Sequence, residues 1–379
     1  MSTILILGGG VGGIVTANKL RKQLGKEHRI IVIDKQKDHV FAPSLLWLMV
    51  GLRKPEKIKR ELKRIERKGI EYVNGEIEHI DPSSKHVVVN GQTYSGDYLV
   101  ISLGAELKEV DGLNKAGHNF YTLNGAQNLY NDLKNFKAGK VAVLVSSAPY
   151  KCPAAPYEAS LLLLDHFKKR KLTDHIELSL YAPEPGPMGV AGKELSGAVR
   201  QLVESKGIKY FPEHQFKAVK NNALKFTNGL TEHFDLLAYV PKHQCPRVIR
   251  ESKLISDGDW IKLKDRETLE TDFPKVFAIG DITGISLAMG KPLPKAGVFA
   301  HYQAEIVAHN IAVDIMKKGQ KKRFTGNGEC FIELGGNKAG FAKGNFYNEP
   351  LPKIKMHKPS FIWHWGKVIF EKGFLRRWF

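Results

Sequence analysis

Cysteine is scarce in this chain: among 379 residues only Cys152, Cys245 and Cys330 occur. So few, set so far apart, cannot build a disulfide scaffold, and they lack the paired spacing of a zinc site, so no metal is expected. Long apolar runs are missing too; none approaches the roughly 18 residues that a membrane-crossing helix needs. There is no extended polar tract and no internal repeat, and 42% hydrophobic with 26% charged residues is the balance of a folded globular chain. No charged leader or apolar h-region precedes the first strand, so export through a removable signal is not expected. One absence is local: between Gly139 and Gly186 no glycine occurs.

What is abundant is positive charge. The formal net charge is +19, with Lys and Arg spread along the whole chain, including the stretch Arg53 to Lys68, which reads as helical. Such a balance suits nucleic acid, an anionic membrane or plain solubility. No nucleic-acid motif or aromatic-basic sheet signature accompanies it, so nucleic acid is not an expected partner and an anionic bilayer fits better. The length suits two compact domains, since domains run roughly 100–200 residues.

Thr3 to Leu7 is an apolar run, Gly8 to Gly13 a turn, Ile14 to Leu24 an amphipathic helix, and Arg29 to Ile33 a second strand, which together make one β-α-β unit. Short strands near Tyr72, Val87 to Val89 and Tyr98 to Ser102 suggest a meander returning to the same sheet. A second unit begins at Lys140, with strand Val141 to Ser146, a helix near Tyr157 to Lys169 and strand Ile176 to Tyr181. Val276 to Asp281 is a further strand ending in a turn, Gly297 to Met316 reads as a helix, and short strand patterns with glycines follow from Gly326.

Gly8-Gly9-Gly10-Val11-Gly12-Gly13 fits the G-x-G-x-x-G pattern in the setting that gives it meaning, between a strand and a helix. Gly8 permits the tight turn, Gly10 lets backbone approach a pyrophosphate, and Gly13 lets the helix pack while its amides face the phosphates. Asp34, about 20 residues on, ends the second strand where a carboxylate can bind a ribose. FAD is preferred to NAD because the fingerprint opens the chain and Gly280-Asp281 lies far downstream, where two-domain flavoproteins meet the ribityl and pyrophosphate portion.

The second unit would hold NAD(P)H only with glycine at its phosphate turn. That turn instead reads Ser147-Ala148-Pro149-Tyr150-Lys151-Cys152-Pro153, whose prolines and side chains obstruct a pyrophosphate. A nicotinamide donor is therefore disfavoured. Cys152 stands in its place, although an isolated free cysteine is most often a buried, inert one.

The chain resembles the sulfide:quinone oxidoreductases and the flavin subunits of flavocytochrome c sulfide dehydrogenases nearly end to end. The residues carrying this are Phe41-Ala42-Pro43-Ser44, Lys151-Cys152-Pro153, Val240-Pro241-Lys242-His243, Gly280-Asp281, Pro294-Lys295-Ala296-Gly297-Val298, Cys330-Phe331-Ile332-Glu333 and Gly366-Lys367. The resemblance implies an α/β fold of two Rossmann-like dinucleotide-binding domains of the disulfide/pyridine nucleotide oxidoreductase type, plus a C-terminal membrane-interface segment. Residues 1–110 and 236–320 would form the FAD domain, 111–235 the second Rossmann-like domain, and 321–379 the redox-cysteine, quinone and membrane-attachment region. Lys35, Pro43, Ser44, Gly104, Gly280, Asp281, Lys295, Ala296 and Gly297 would join the glycine loop and Asp34 around FAD.

The same resemblance pairs Cys152 with Cys330 through a disulfide or polysulfur bridge. Hydrosulfide would attack one sulfur, leaving a persulfide on Cys152 and a thiolate at Cys330, with two electrons passing to the flavin and sulfur leaving as polysulfide or elemental sulfur. Glu158 is implied as a proton carrier, although a glutamate in a first helical turn commonly serves the helix dipole. Phe331 and Phe370 would stack on a quinone and Lys367 bond its oxygen or the flavin edge. Cys245 is left without an assigned role.

From Lys355 to Phe379 aromatic residues alternate with Lys and Arg, a mix suited to an interfacial anchor; a packed helix with a solvated basic face is the plainer alternative. The expected setting is peripheral attachment to the cell membrane, on the cytoplasmic side, with a homo-oligomer compatible. The rival readings are a type II NADH:quinone oxidoreductase, which requires the missing glycine loop, a flavocytochrome c flavin subunit, and a non-catalytic flavin-binding redox sensor.

Overall fold

The computed structural model describes residues 1–255 and 258–379. Strand β1 (Thr3–Leu7), helix α1 (Val11–Gln23) and strand β2 (Arg29–Asp34) form the opening β-α-β unit. Ile4 to Leu7 are all buried, which explains an unbroken apolar run in place of alternation: a parallel sheet is covered on both faces. Strands β3 (Glu71–Asn74) and β4 (Tyr98–Ile101) belong to the parallel sheet and not to the meander expected to include them. The antiparallel meander lies between them and is made of Ile77–Asp81, His86–Val89 and Gln92–Ser95, so that of the expected strands only Val87–Val89 falls in it.

The stretch from Arg53 to Lys68 departs from its helical reading. It is broken into the short 3₁₀ turns Pro55–Lys57 and Leu62–Lys68, with the strand Lys59–Glu61 between them pairing antiparallel to Asp38–Val40. Tertiary pairing overrides propensity here, because Leu62 and Ile65 are drawn into the core beneath the glycine loop.

The second sheet contains β5 (Gly139–Val145), which leads into α2 (Ala155–Lys169), then β6 (Ile176–Tyr181), β7 (Lys209–Phe211) and β8 (Leu236–Val240). Its parallel order is His118–Asn119, β8, β5, β6, β7. Since β8 pairs along β5, the chain leaves this sheet after Val240, slightly beyond the expected edge at residue 235. The chain then returns through β9 (Val276–Ala278), completing the first sheet in the order β9, β4, β1, β2, β3, and α3 (Gly297–Met316) packs on α1.

The antiparallel strands β10 (Asn327–Gly335), β11 (Lys338–Asn345) and β12 (Lys353–Ser360) precede a final helix, α4 (Phe361–Arg377). The first turns of α4 depart from the pattern of a helix in water. Its buried residues include Lys367 and Glu371, whereas Phe361, Ile362, Trp365, Ile369 and Phe370 are exposed. Its C-terminal end joins the first unit: Phe374 and Leu375 enter the same core as β1 and α1, Asn18 Nδ2 donates to the Trp378 carbonyl at 3.1 Å, and Lys68 Nζ donates to the Arg377 carbonyl at 2.7 Å. Among the described residues no helix is long and apolar enough to cross a membrane.

Candidate functional site

The glycine loop fits a dinucleotide on steric grounds. Gly8 has φ +103°, and a Cβ there would lie 2.4 Å from the Ser102 carbonyl oxygen; a Cβ on Gly13 would lie 1.8 Å from the Gly8 oxygen. Both glycines are thus fixed by the turn and by helix packing. Around Gly10 nothing lies within 4 Å of such a Cβ, so its backbone is open to a ligand's close approach. Asp34 closes the loop, accepting from the backbone N–H of Gly9 at 2.5 Å and of Gln36 at 2.7 Å. Burial raises the pKa of this carboxyl, and the two N–H groups and Lys35 oppose the rise. Lys35 itself is exposed, 3.3 Å from Glu76.

Opposite lies the Gly280 turn, with φ +74° and its N–H donating to Gln303 Oε1 at 2.7 Å. Asp281 Oδ1 is buried with no hydrogen-bond partner among the described residues. A buried polar atom without a partner is costly, and a ligand hydroxyl or phosphate-linked group would relieve it. Lys295 Nζ donates to the carbonyls of Asp281 at 2.6 Å and Thr283 at 3.2 Å and sits over the Trp260 ring at 3.4 Å. Burial lowers its ammonium pKa to about 8, against the attraction of Asp281. Ala296 caps the start of α3 and Gly297 is its first residue. Gly104 has φ +67° and faces open space. Pro43 is exposed, while the Ser44 hydroxyl is engaged by Glu371 Oε1 at 2.6 Å, an acid that also binds Arg53 at 2.9 Å.

Cys152 occupies the turn between β5 and α2 in a left-handed conformation, φ +54°, which a side chain adopts only when its surroundings hold it there. Its N–H donates to the Lys295 carbonyl at 2.6 Å and its own carbonyl accepts from Ala155 N–H at 2.9 Å, so the cysteine is fixed against the segment that borders Asp281. Burial, then the Glu158 charge, push its thiol up to about 12, while Lys367 pulls it down. Cys330 lies on β10 with the residue exposed to solvent, while desolvation at its sulfur and then the charge of Cys152 push its thiol well up. Cys330 therefore feels the charge of Cys152, and both thiols feel the same Glu158–Lys367 pair. They are free thiols, so the bridge that the resemblance implies is not formed here. Cys245 is buried in the core with Ile249 and Leu254, its thiol raised to about 12.

Glu158 does more than complement the dipole of α2. It is buried, and its Oε1 accepts from Lys367 Nζ at 2.8 Å and from the backbone N–H of Glu333 at 2.8 Å, joining α2, β10 and α4. On β10 the strand alternation sends Cys330 to one face and Phe331 and Glu333 to the other. Phe331 packs on Phe341, with ring centroids 5.0 Å apart, and a Cβ on Gly366 would come within 3.2 Å of its ring. Phe370 is exposed at the edge of Phe41, 5.6 Å between centroids. Lys367 and Arg53 both stand over the Trp47 ring, at 5.0 and 4.2 Å. Gln303, His364 and Glu371 escaped the sequence reading, while Glu333 and Arg53 entered it only within a motif and a basic stretch, without a role at the site. The one available signal was a charged residue on an otherwise apolar strand or helix face, as at Glu333.

The family profile for pyridine nucleotide-disulphide oxidoreductases matches residues 2–304. The chain is 28% identical over 395 aligned residues to the sulfide-quinone reductase of Aquifex aeolicus, covering 98% of this chain and 90% of that one. It is 22% identical to the mitochondrial sulfide:quinone oxidoreductase of Mus musculus, covering 92% and 79%. The X-ray structure of the Aquifex aeolicus sulfide:quinone oxidoreductase superposes with a TM-score of 0.89 at 25% identity, covering 100% of this chain and 91% of that one.

Proposed function

Given that this chain belongs to the pyridine nucleotide-disulphide oxidoreductases, we propose that it is a sulfide:quinone oxidoreductase that uses FAD. The observation carrying this reading is Cys152, held by the Lys295 carbonyl at the turn where a nicotinamide-binding relative would need glycine, and sharing the Glu158–Lys367 pair with Cys330. The similarity to sulfide-quinone reductases along nearly the whole chain supports it.

In this reading the glycine loop and Asp34 hold the adenosine and pyrophosphate end of FAD, and Asp281 meets its ribityl and pyrophosphate portion. When bound, the flavin accepts two electrons from sulfur and hands them to quinone. The chain's own residues perform the sulfur chemistry. Hydrosulfide attacks a sulfur of the oxidised Cys152–Cys330 bridge, forming an S–S bond to Cys152 and releasing Cys330 as thiolate, while Glu158 takes up the S–H proton. Phe331 and Phe370 flank the quinone and Lys367 faces its oxygen.

Quinone resides in lipid, and the exposed apolar row of α4 supports peripheral attachment to an anionic bilayer. Anaerobic stopped-flow mixing of the purified protein with sulfide and, separately, with NADH tests the function. Sulfide is expected to bleach the flavin absorbance, and a quinone analogue to restore it. Bleaching by NADH alone would overturn the reading in favour of an NADH dehydrogenase. Cys152→Ser and Cys330→Ser are expected to keep the yellow flavin and lose the sulfide reaction, whereas a redox sensor would not need them.

A further inference from the structure

The joint between α2, β10 and α4 buries more charge than the sulfur chemistry requires. Beyond the Glu158–Lys367 pair lies Glu333, 1% exposed. Its carboxylate is 3.0 Å from His364 Nδ1, on a ring whose side chain is 14% exposed. His364 and Lys367 are three residues apart on α4, so one helical face presents both to β10. The two pairs meet at Glu333, whose backbone N–H donates to Glu158 and whose carboxylate feels the Lys367 charge, and His364 is the member nearest the protein surface.

Counting charges in this group is informative. Two carboxylates face one ammonium, and an unpaired buried carboxylate costs several kcal/mol. The remaining carboxylate is compensated only if a proton resides between Glu333 and His364, on the carboxyl or on the ring. Glu333 is faced by Glu158 from α2 and by Lys367 and His364 from α4; burial raises its pKa, and the two cationic partners oppose the rise. A proton exchangeable between a carboxylate and an imidazole in contact is what a relay requires, whereas a purely structural pair does not.

We infer that Glu333 and His364 are the solvent-facing half of a proton path whose inner half is Glu158 and Lys367, and that this path delivers a proton for quinone reduction. The inference rests on the function proposed above. Oxidation of hydrosulfide to sulfane sulfur on Cys152 breaks one S–H bond and releases one proton and two electrons. Reduction of a quinone to its quinol consumes the two electrons and forms two O–H bonds. One proton can come from hydrosulfide through Glu158. The other must come from the medium, and His364 is the most exposed member of the group.

The test separates the two half-reactions in the flavin-loaded protein, using His364→Ala, His364→Gln and Glu333→Gln, with flavin content and thermal midpoint as the check on folding. Bleaching by sulfide is expected to stay within about twofold of the native rate, while reoxidation by a short-chain quinone slows about tenfold or more at about pH 8. Added imidazole should restore reoxidation in His364→Ala but not in Glu333→Gln. Infrared spectra of the resting protein, without sulfide or quinone, should contain a protonated-carboxyl band that varies with pH and disappears in Glu333→Gln.

Native reoxidation in His364→Ala would overturn the relay, and so would equal slowing of both half-reactions without rescue by imidazole, which is the mark of a structural role. If His364→Ala does not fold, His364→Gln carries the same kinetic comparison, and native reoxidation in it overturns the relay likewise. Failure of sulfide to bleach the native flavin would instead sink the proposed function, a result distinct from native bleaching with unchanged reoxidation in the variants.

Discussion

Cys152 and Glu158 lie six positions apart, yet different physics governs them. Cys152 is set by backbone: its left-handed φ and its bond to the Lys295 carbonyl aim the sulfur before any partner arrives. Glu158 is set by charge. It is the counterion of a buried ammonium, and removing one member of a buried pair leaves the other uncompensated. Glu158→Ala is therefore expected to lower stability by about 3 kcal/mol, the lower end of the usual cost because Glu333 also faces Lys367. Denaturant unfolding of Glu158→Ala and Lys367→Met side by side measures this. The lysine variant should be the more damaging, since it leaves two buried carboxylates, Glu158 and Glu333, without the ammonium they share. Equal, small losses would mean that water reaches the pair and screens it.

Among the elements, α4 is the one whose pattern conflicts with an aqueous surface. Lys367 and Glu371 point inward to Glu158, Arg53 and Ser44, while Phe361, Ile362, Trp365, Ile369 and Phe370 form an exposed apolar row. Each large apolar side chain transferred out of water contributes roughly 1.5–3 kcal/mol. Replacing Ile362, Trp365 and Ile369 together by Ser is therefore expected to weaken binding to anionic vesicles by about a hundredfold or more, while turnover with a water-soluble quinone analogue persists. Vesicle flotation measures the first and flavin reoxidation the second. Unchanged flotation would show that another surface, such as the basic stretch from Arg53, makes the attachment. Loss of flavin in the variant would show that the row supports the fold, through the contacts α4 makes with the first unit.

The molecule as a whole buries groups whose ionisation it resists. Burial raises Cys152 and Cys245 to about 12 from an ordinary 9.0, and Tyr181 and Tyr302 to about 12 from 10.0. A group whose folded pKa is raised contributes stability that is present below its unfolded value and lost as pH rises through the folded one. Lys295 runs the other way: lowered to about 8 from 10.5, it contributes stability present above 10.5 and lost as pH falls through 8. Lys295 alone acts between about pH 8 and 9, the two trends oppose each other between about pH 9 and 10.5, and only loss is left above that. The thermal midpoint is accordingly expected to change little up to about pH 10 and to fall steeply towards pH 12. Melts monitored by circular dichroism check this, and a midpoint still rising above pH 11 would contradict the assigned burial.

Local chemistry was enough for the shape of the glycine loop and the two β-α-β units, because each depends on neighbours in sequence. Gly8 and Gly13 are required by a turn and by a helix packing on its own strand. The same local logic misjudged Arg53 to Lys68, where pairing with Asp38–Val40 outweighed helical propensity. The polar group was beyond its reach. Glu158, Glu333, His364 and Lys367 come from three elements spread over some 200 residues of chain. Their meeting follows from β10 crossing α2 and from α4 folding back over both, and the energy of a buried charge is fixed only once tertiary packing has removed its water.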